Sequence, residues 1–232
     1  MQVSFIGNIP HETAKSLDDW DKVYKNFKSK RSVWRENATL FFTSKIDFLK
    51  SSGVKRIVDA GCGDGRNLVE FAKAGFEIYG IDISKEALMR CRKLCKGRRK
   101  VSLSLQNLEA PDFRKSFFDA VICDFVSAHL RHPAKVISNF SRVMKKGGYL
   151  LVEFTSPEDP LFGKGEKISK NEFVNKGFYL RFYDLKSIKK LLKSFRIIAV
   201  EQSSYSDPYH GSGYMRKARH RHNSFFVMAQ KI

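Results

Sequence analysis

Acidic residues, prolines and long apolar runs are all scarce in this sequence. Its 232 residues include 24 Asp and Glu against 43 Lys and Arg, which gives a formal charge of +19. With only 6 prolines and a hydrophobic fraction of 42%, the composition excludes general disorder. No stretch approaches the roughly 18 consecutive apolar residues that a membrane helix requires. We therefore expect a folded protein with a sizeable core and no membrane association.

Cysteine is also scarce, and the four cysteines show no disulfide-like spacing. Cys91 and Cys95 lie four residues apart on a predicted helix, but no further ligands accompany them, so no metal site is predicted. The first twenty residues lack the basic and apolar regions of a secretory signal. We expect reduced, buried thiols in a cytoplasmic protein.

Strands and helices alternate from Val54 onwards. Short apolar segments predict strands at 56–60, 76–81, 100–105, 118–123 and 149–154. Amphipathic segments predict helices at 67–74, 84–94 and 134–144. This alternation predicts an α/β fold with a doubly wound, Rossmann-like, mostly parallel sheet that is covered by helices on both faces.

The chain before this domain reads differently. Residues 1–53 form a predicted helical extension, and residues 54–232 form the domain itself. A short helix is expected around 18–27, and a longer one from an N-cap at Ser32 to a glycine cap at Gly53.

The C-terminal part is less regular. A helix is predicted at 184–192, followed by strands at 196–201 and 224–229. Two loops are expected, at 157–170 and 203–221, and the first has the length of loops that carry function.

Three alternate glycines follow the first strand of the domain. Gly61, Gly63 and Gly65 stand between a strand and a helix, where glycines let the backbone approach a ligand and the helix N-terminus offers free N–H groups. Arg66 occupies the place where a dinucleotide-binding turn needs its third glycine, and the pattern of a P-loop is absent. The turn therefore fits a cofactor without a pyrophosphate.

An acidic residue follows the next strand. Asp82 comes 17 residues after Gly65, at the end of the second strand. In a doubly wound sheet, a carboxylate at this position lies beside the glycine turn and can accept hydrogen bonds from both hydroxyls of a ribose. The alternative is a turn without a ligand, in which Asp82 only caps the helix that starts at Ser84.

The succession of strand, glycine turn, helix, strand and acidic residue resembles the class I S-adenosylmethionine-dependent methyltransferases. The resemblance extends over residues 34–232 and includes the segments 106–109, 118–126 and 142–149. It implies that S-adenosyl-L-methionine is the cofactor and that the last strand is antiparallel to its neighbours.

The same resemblance implies a set of cofactor-binding residues. Asp59 and the backbone of residues 61–65 would hold the methionine part, Asp82 the ribose, and Asn107 the adenine, although aspartate is commoner at that last position. The complete expected set is Asp59, Gly61, Cys62, Gly63, Gly65, Asn67, Asp82, Ile83, Asn107, Leu108, Asp124 and Phe125.

The acceptor is harder to predict, because methyl transfer needs a general base only when the acceptor must lose a proton. Residues 124–127 lack the proline motif of enzymes that methylate amines of bases, and Cys123 lies inside a predicted strand. The layout is similar to small-molecule methyltransferases of the tellurite-resistance and thiopurine type, through residues 20–24 and the basic segment 210–222. We therefore expect a small, anionic or soft nucleophilic acceptor. The candidate catalytic residues are Asp124, His129, His210 and Arg219.

The positive charge leaves other functions open. Basic residues cluster at 22–31, at 90–100 and in the segment 210–222. The cluster at 90–100 is expected to be a solvated face, whereas the other two would flank the acceptor entrance if the N-terminal helix forms a lid. The alternative function is an RNA or ribonucleoprotein methyltransferase that binds nucleic acid through this surface. A minor alternative is a non-catalytic binding protein of the same fold.

Overall fold

The structure is a computed structural model that describes residues 3–5, 11–28, 32–35, 37–216 and 218–232. The strands are β1 (Val3–Phe5), β2 (Arg56–Ala60), β3 (Glu77–Asp82), β4 (Val101–Leu105), β5 (Phe118–Cys123), β6 (Met144–Thr155), β7 (Glu166–Ser169), β8 (Glu172–Asn175), β9 (Phe178–Arg181), β10 (Phe195–Asp207) and β11 (His220–Lys231). The helices are α1 (His11–Asn26), α2 (Leu40–Thr43), α3 (Ile46–Ser51), α4 (Arg66–Lys73), α5 (Lys85–Leu94), α6 (Pro133–Val143) and α7 (Leu185–Leu191).

Eight strands form one sheet in the order β1-β4-β3-β2-β5-β6-β11-β10. Neighbours from β1 to β6 pair in parallel, whereas β11 is antiparallel to both β6 and β10. The predicted doubly wound, mostly parallel fold with an antiparallel last strand is therefore confirmed. In the described part of the chain, no helix has the length and apolarity needed to cross a membrane.

The two faces of the sheet build separate apolar cores, because successive strand residues point to opposite faces. Along β5, Val121 and Cys123 join a core that also contains the buried faces of α6 and α7. The alternate residues Ala120 and Ile122 join a second core with residues of α2 to α5. All four cysteines are free and buried, as predicted.

The long helix predicted from Ser32 is wrong. Residues 32–35 and 37–39 have no helical structure, and two short helices, α2 and α3, follow. The carboxylate of Asp64 captures the start of this segment, because Oδ1 accepts a hydrogen bond from Oγ of Ser32 at 3.0 Å and Oδ2 accepts one from N of Val33 at 2.7 Å. The predicted cap at Gly53 is confirmed, with φ of 75° and an N–H that donates to O of Lys50.

The two predicted loops are also partly wrong. The segment 157–170 contains β7, which pairs with β8 and β9 in a second, antiparallel sheet of three strands. The loop predicted at 203–221 is shorter, since β10 extends to Asp207 and β11 begins at His220. These strand segments are polar and largely exposed or half-buried, so they lack the apolar run that marks a buried strand. β1 was not predicted either.

A roof forms over the carboxyl ends of the parallel strands. We use this name for α1, residues 32–35, the sheet β7–β9 and residues 208–216. Its parts share one apolar cluster, in which Tyr24 of α1 and Phe27, directly after α1, pack with Phe173 and Leu180 of the small sheet and with Tyr214.

Candidate active site

A cavity of about 950 Å³ lies between the ends of the parallel strands and the roof. The strand side contributes residues at or directly after the ends of β2, β3, β4 and β5, and the roof contributes aromatic side chains. The predicted site residues that line it are Asp59, Gly61, Cys62, Gly63, Asn67, Asp82, Ile83, Asn107, Leu108, Asp124, Phe125, His129 and His210.

The glycine turn is held against β3 by its backbone. The N–H groups of Gly61 and Cys62 both donate to O of Ile81, at 2.8 and 3.0 Å. Gly63 has a positive φ of 54°, and a Cβ atom there would lie 2.7 Å from Oη of Tyr24. The turn therefore has room for backbone only, with a roof side chain directly above it.

Asp82 connects this turn to α5. Its Oδ2 accepts a hydrogen bond from N of Gly63 at 2.8 Å, and its Oδ1 accepts one from N of Ser84 at 2.8 Å. Burial raises the pKa of Asp82 to about 6, although the backbone hydrogen bonds from Ser84 and Gly63 oppose the rise. The carboxyl group of Asp82 thus caps the helix that starts after Ser84, as the alternative from the sequence expected, and it also lines the cavity. Its ribose-binding role stays a prediction.

Asp59 is a buried carboxyl group without a full set of partners. Its side chain lines the cavity, yet within the described residues its Oδ2 atom has no hydrogen-bond partner. Burial raises its pKa to about 8, nearby Asp124 adds to the rise, and Arg66 opposes it. A cation brought into the cavity would satisfy this oxygen, and the α-ammonium group of S-adenosylmethionine is such a cation. The backbone-only turn and this orphan oxygen both fit that cofactor.

Asp124 is the centre of a buried polar network. Its Oδ2 accepts hydrogen bonds from Oγ1 of Thr39 at 2.7 Å and from Nδ2 of Asn67 at 2.8 Å, and it also pairs with Arg66. Oδ1 of Asn67 in turn accepts from N of Thr39. Asp124 and Asn67 thus fasten the start of α2 to the cavity wall. Arg66 and Thr39 were not among the site residues expected from the sequence.

The segment after β4 has a local turn at the predicted adenine position. Oδ1 of Asn107 accepts a hydrogen bond from N of Glu109 at 2.9 Å, so the amide oxygen expected to face adenine also closes a turn. Leu108 is buried, and its carbonyl oxygen accepts from Nδ2 of Asn139 at 3.0 Å. Ile83 lines the same part of the cavity.

His129 lies where the roof meets the segment after β5. Its Nδ1 is 3.0 Å from O of Tyr179, and its ring packs edge-on against Trp20 with centroids 4.7 Å apart. A carbonyl oxygen can only accept, so Nδ1 holds the proton and Nε2 holds the lone pair. Burial lowers the pKa of His129 to about 4. The imidazole is therefore neutral at physiological pH.

Two predicted residues lie elsewhere. Arg219 is exposed and does not line the cavity, because β11 begins directly after it and only the inward side chains of that strand face the site. Gly65 begins α4 below the turn, where a Cβ atom would lie 2.5 Å from Sγ of Cys91. Its place is explained by close packing of α4 on α5.

His210 is completely buried within the C-terminal part of the roof. Its Nδ1 lies 2.9 Å from O of Val33, and its ring packs against Trp34 at 4.7 Å. Burial lowers the pKa of His210 to about 4, so this imidazole is also neutral. His210 lines the cavity and also contacts a second histidine, since its Nε2 lies 3.2 Å from Nε2 of His220.

Comparison with known proteins identifies the class. Residues 58–152 match the methyltransferase domain family. A ubiquinone biosynthesis O-methyltransferase from Alkalilimnicola ehrlichii is 34% identical over 100 residues, which are 42% of this chain and 40% of that protein. The chain thus spans about two fifths of the length of the curated relatives that match it first.

Solved structures share the whole fold. A SAM-dependent methyltransferase from Methanosarcina mazei has a TM-score of 0.67 at 21% identity, over 84% of this chain and 99% of that one. Magnesium protoporphyrin IX methyltransferase from Synechocystis, solved with bound SAM, has a TM-score of 0.62 at 16% identity, over 98% and 100%.

The sheet order and the glycine turn followed by Asp82 define a Rossmann-like fold, and the part of it at residues 58–152 matches the methyltransferase domain family. The chain thus contains a match to a methyltransferase domain and shares the fold of solved SAM-dependent methyltransferases.

Proposed function

We propose that this enzyme transfers a methyl group to an oxygen or sulfur atom of a small acceptor that binds in the cavity beneath the roof. The observation that carries the proposal is the enclosure of one cavity by the glycine turn, Asp59 and Asp82 on one side and the aromatic roof on the other. Its volume of about 950 Å³ falls within the range of small-molecule sites, roughly 300–1,000 Å³.

The strand side of the cavity suits the cofactor. We assign the methionine part to the backbone of the turn and to Asp59, the ribose to Asp82, and the adenine to the segment that contains Asn107 and Leu108. When bound, S-adenosylmethionine supplies an activated methyl group. The chain's own contribution is to orient the two reactants and to exclude water, and both effects lower the barrier to an in-line displacement.

The roof side suits the acceptor. Trp20, Trp34, Phe178 and Tyr214 line this half of the cavity together with His129. We assign to His129 the role of accepting a hydrogen bond from the acceptor through Nε2. We further propose that residues 1–53 act as the lid of the site, because α1 carries Tyr24 over the glycine turn and Trp20 into the lining of the cavity.

The charges of the residues that line the cavity limit the chemical class of the acceptor. Acidic side chains outnumber basic ones, since the lining acids are Asp19, Asp59, Asp64, Asp82, Glu109, Asp124 and Asp207 while the lining bases are Arg66 and Arg131. Arg66 is already paired with Asp124. The lining therefore favours a neutral hydroxyl or thiol compound over the permanently anionic acceptor that the basic composition had suggested.

RNA methylation remains the second candidate, on one specific observation. Side chains of Arg92, Lys93, Lys96, Arg98 and Arg99 line a separate surface groove at the end of α5. None of these residues lines the cavity, whose roof covers the cofactor turn. A nucleic acid bound in the groove would thus be held away from the methyl donor, which is why the small acceptor is preferred.

Transfer of labelled methyl groups tests both candidates. The protein is incubated with S-adenosylmethionine labelled in the methyl group and either a small-molecule cell filtrate or total RNA. We expect label in the filtrate and none in the RNA. Labelled RNA that decreases on Lys96→Glu substitution would overturn the proposal in favour of the second candidate.

Variants connect the label to this site. Asp82→Asn should abolish incorporation and weaken cofactor binding at least tenfold, whereas the exposed Asp47→Asn change on α3 should leave both unchanged. Cofactor binding measured by calorimetry with no label in either fraction would contradict the enzymatic role.

A further inference from the structure

Three histidines and one aspartate converge at the wall of the cavity. Asp207 ends β10, His210 follows in the roof, and His220 and His222 lie at the start of β11. Asp207 is paired with His220 across the antiparallel ladder, and residues 220 and 222 share one face of their strand. The strand register thus brings the side chains together without a ligand.

The donor atoms of this cluster are spaced as they would be around one metal ion. Nε2 of His220 lies 3.2 Å from Nε2 of His210 and 3.1 Å from Nε2 of His222. Oδ2 of Asp207 lies 3.7 Å from Nε2 of His210 and 3.7 Å from Nε2 of His222. Tetrahedral zinc with bonds of about 2.0–2.1 Å separates neighbouring donors by about 3.3 Å.

Each imidazole is oriented through its other ring nitrogen. The acceptors near Nδ1 are O of Val33 for His210 at 2.9 Å, O of Ala218 for His220 at 2.8 Å and Oδ2 of Asp159 for His222 at 2.9 Å. These oxygens only accept, so each Nδ1 holds a proton and each Nε2 presents its lone pair to the centre. Such outer partners are typical of histidines that bind metal ions.

Without a cation, these contacts conflict. Two neutral imidazoles cannot form a hydrogen bond between Nε2 atoms that both carry lone pairs, and His220 faces two such atoms. One divalent ion satisfies all three lone pairs at once.

The charges and the location fit a functional ion. Arg35 lies 2.9 Å from Oδ1 of Asp207, which leaves Oδ2 directed to the histidines. Asp207, His210 and His222 all line the cavity, and the ring of His210 lies 4.7 Å from that of Trp34 and 5.4 Å from that of Tyr214. The cluster therefore borders the acceptor half of the cavity.

We infer that Nε2 of His210, His220 and His222 and Oδ2 of Asp207 bind one divalent transition-metal ion, and that this ion expands from four to five ligands to take the hydroxyl or thiol of the acceptor. Three imidazoles and one carboxylate are donors that suit Zn²⁺. On binding, the acceptor releases its proton to water and presents an oxygen or sulfur anion. The role of the ion rests on the proposed function, but binding of the ion does not.

Metal titration tests the site directly. The full-length protein is stripped with a chelator, titrated with Zn²⁺ by calorimetry, and assayed for bound metal after gel filtration. We expect one Zn²⁺ per chain. His210→Ala and His222→Ala should each remove most of the affinity, and Asp159→Asn should lower it by about 10–100-fold through loss of the outer contact.

Control variants distinguish specific metal binding at the histidine cluster from binding at the protein surface and from misfolding. The exposed His132→Ala variant should bind Zn²⁺ like the wild type, and His220→Gln serves as a milder change whose circular dichroism is compared with that of the wild type. Stripped wild-type protein that takes up none of Zn²⁺, Co²⁺, Mn²⁺ or Fe²⁺ in stoichiometric amount would overturn the site, whatever the variants do.

The coordination position that the acceptor takes on the ion can be tested by spectroscopy. The protein loaded with Co²⁺ is titrated with 2-mercaptoethanol, and we expect a new charge-transfer band as the thiolate binds. An unchanged spectrum would refute the acceptor role and leave a closed, structural site. Calorimetry with S-adenosylmethionine on the metal-free protein is measured in parallel, so failure of the cofactor assignment and failure of the metal site give different results.

Discussion

Replacing Asp59 with asparagine removes a charge from the cofactor half of the cavity while keeping the shape of the side chain. Because burial raises the pKa of this carboxyl group to about 8, the free protein holds a proton on Asp59 at neutral pH. A bound ammonium group next to the orphan Oδ2 atom favours the ionised form. Cofactor binding should therefore expel the proton.

The raised pKa sets the size of this linkage. If only the ionised form binds, affinity rises about tenfold per pH unit from pH 6 towards pH 8, which is about 1.4 kcal/mol per unit. At pH 7, about nine-tenths of the free protein carries the proton, so about 0.9 proton is released per cofactor bound. Asp82, with its pKa raised to about 6, adds about 0.1 proton at that pH.

Calorimetry in buffers of different ionisation enthalpy measures the released protons directly. We expect the wild type and the exposed control Asp47→Asn to release the same number, and Asp59→Asn to release close to none with weaker binding that is flat between pH 6.5 and 7.5. Equal proton release by the wild type and by Asp59→Asn would refute the pairing of Asp59 with the ammonium group.

Three further variants test the packing of the site. Gly63→Ala should lower cofactor affinity more than tenfold, because its Cβ would lie 2.7 Å from Oη of Tyr24 at a positive φ. Arg66→Met should cost about 3–5 kcal/mol of stability, since it leaves the buried Asp124 carboxylate unpaired. Glu153→Gln should flatten the fall in stability between pH 5 and 8. Burial raises the pKa of Glu153 to about 8, so the folded state keeps a proton that the unfolded chain loses near pH 4.5.

Matched changes keep these outcomes interpretable. The double variant Arg66→Met, Asp124→Asn should recover part of the lost stability, because the remaining amide carries no charge. Denaturant titrations at several pH values should show no flattening for Glu158→Gln, whose side chain is exposed. A stability curve of Glu153→Gln that falls as steeply as that of the wild type would contradict the raised pKa, and unchanged cofactor affinity of Gly63→Ala would contradict the tight turn.

The fold could be predicted because its parallel strands are short apolar runs. The residues of β2 and β5 are buried on both faces, so local composition marks each strand and the alternation with helices sets the class. The second half of β10 and the whole of β7 could not be predicted in this way, because most of their side chains are polar and exposed or half-buried. Pairing partners, which the sequence does not display, stabilise them.

The site residues that could be predicted also differ from the others in how local their sequence signal is. The glycine turn and Asp82 could be recognised because their chemistry is local, whereas the contact of Asp124 with Thr39 joins residues 85 positions apart. The histidine cluster depends on the register that sets Asp207 opposite His220, and a shift of one residue would turn His220 and His222 to the other face of β11. From the sequence, His210 could therefore be predicted only as a candidate catalytic residue, and no metal site was expected.

The net positive charge of the chain does not determine the charge of the acceptor, because of where the basic residues lie. Arg219 and the basic groove at the end of α5 lie outside the cavity, so the net charge of +19 does not make its wall positive. An anion entering unaided would meet mainly carboxyl groups. A divalent ion at His210, His220 and His222 makes one point of the cavity wall positive. A neutral acceptor that binds there can lose its proton and become an anion next to the ion. Acceptor screens with metal-free and metal-loaded protein should thus differ for hydroxyl and thiol compounds, and a screen that gives the same products in both would separate methyl transfer from the ion.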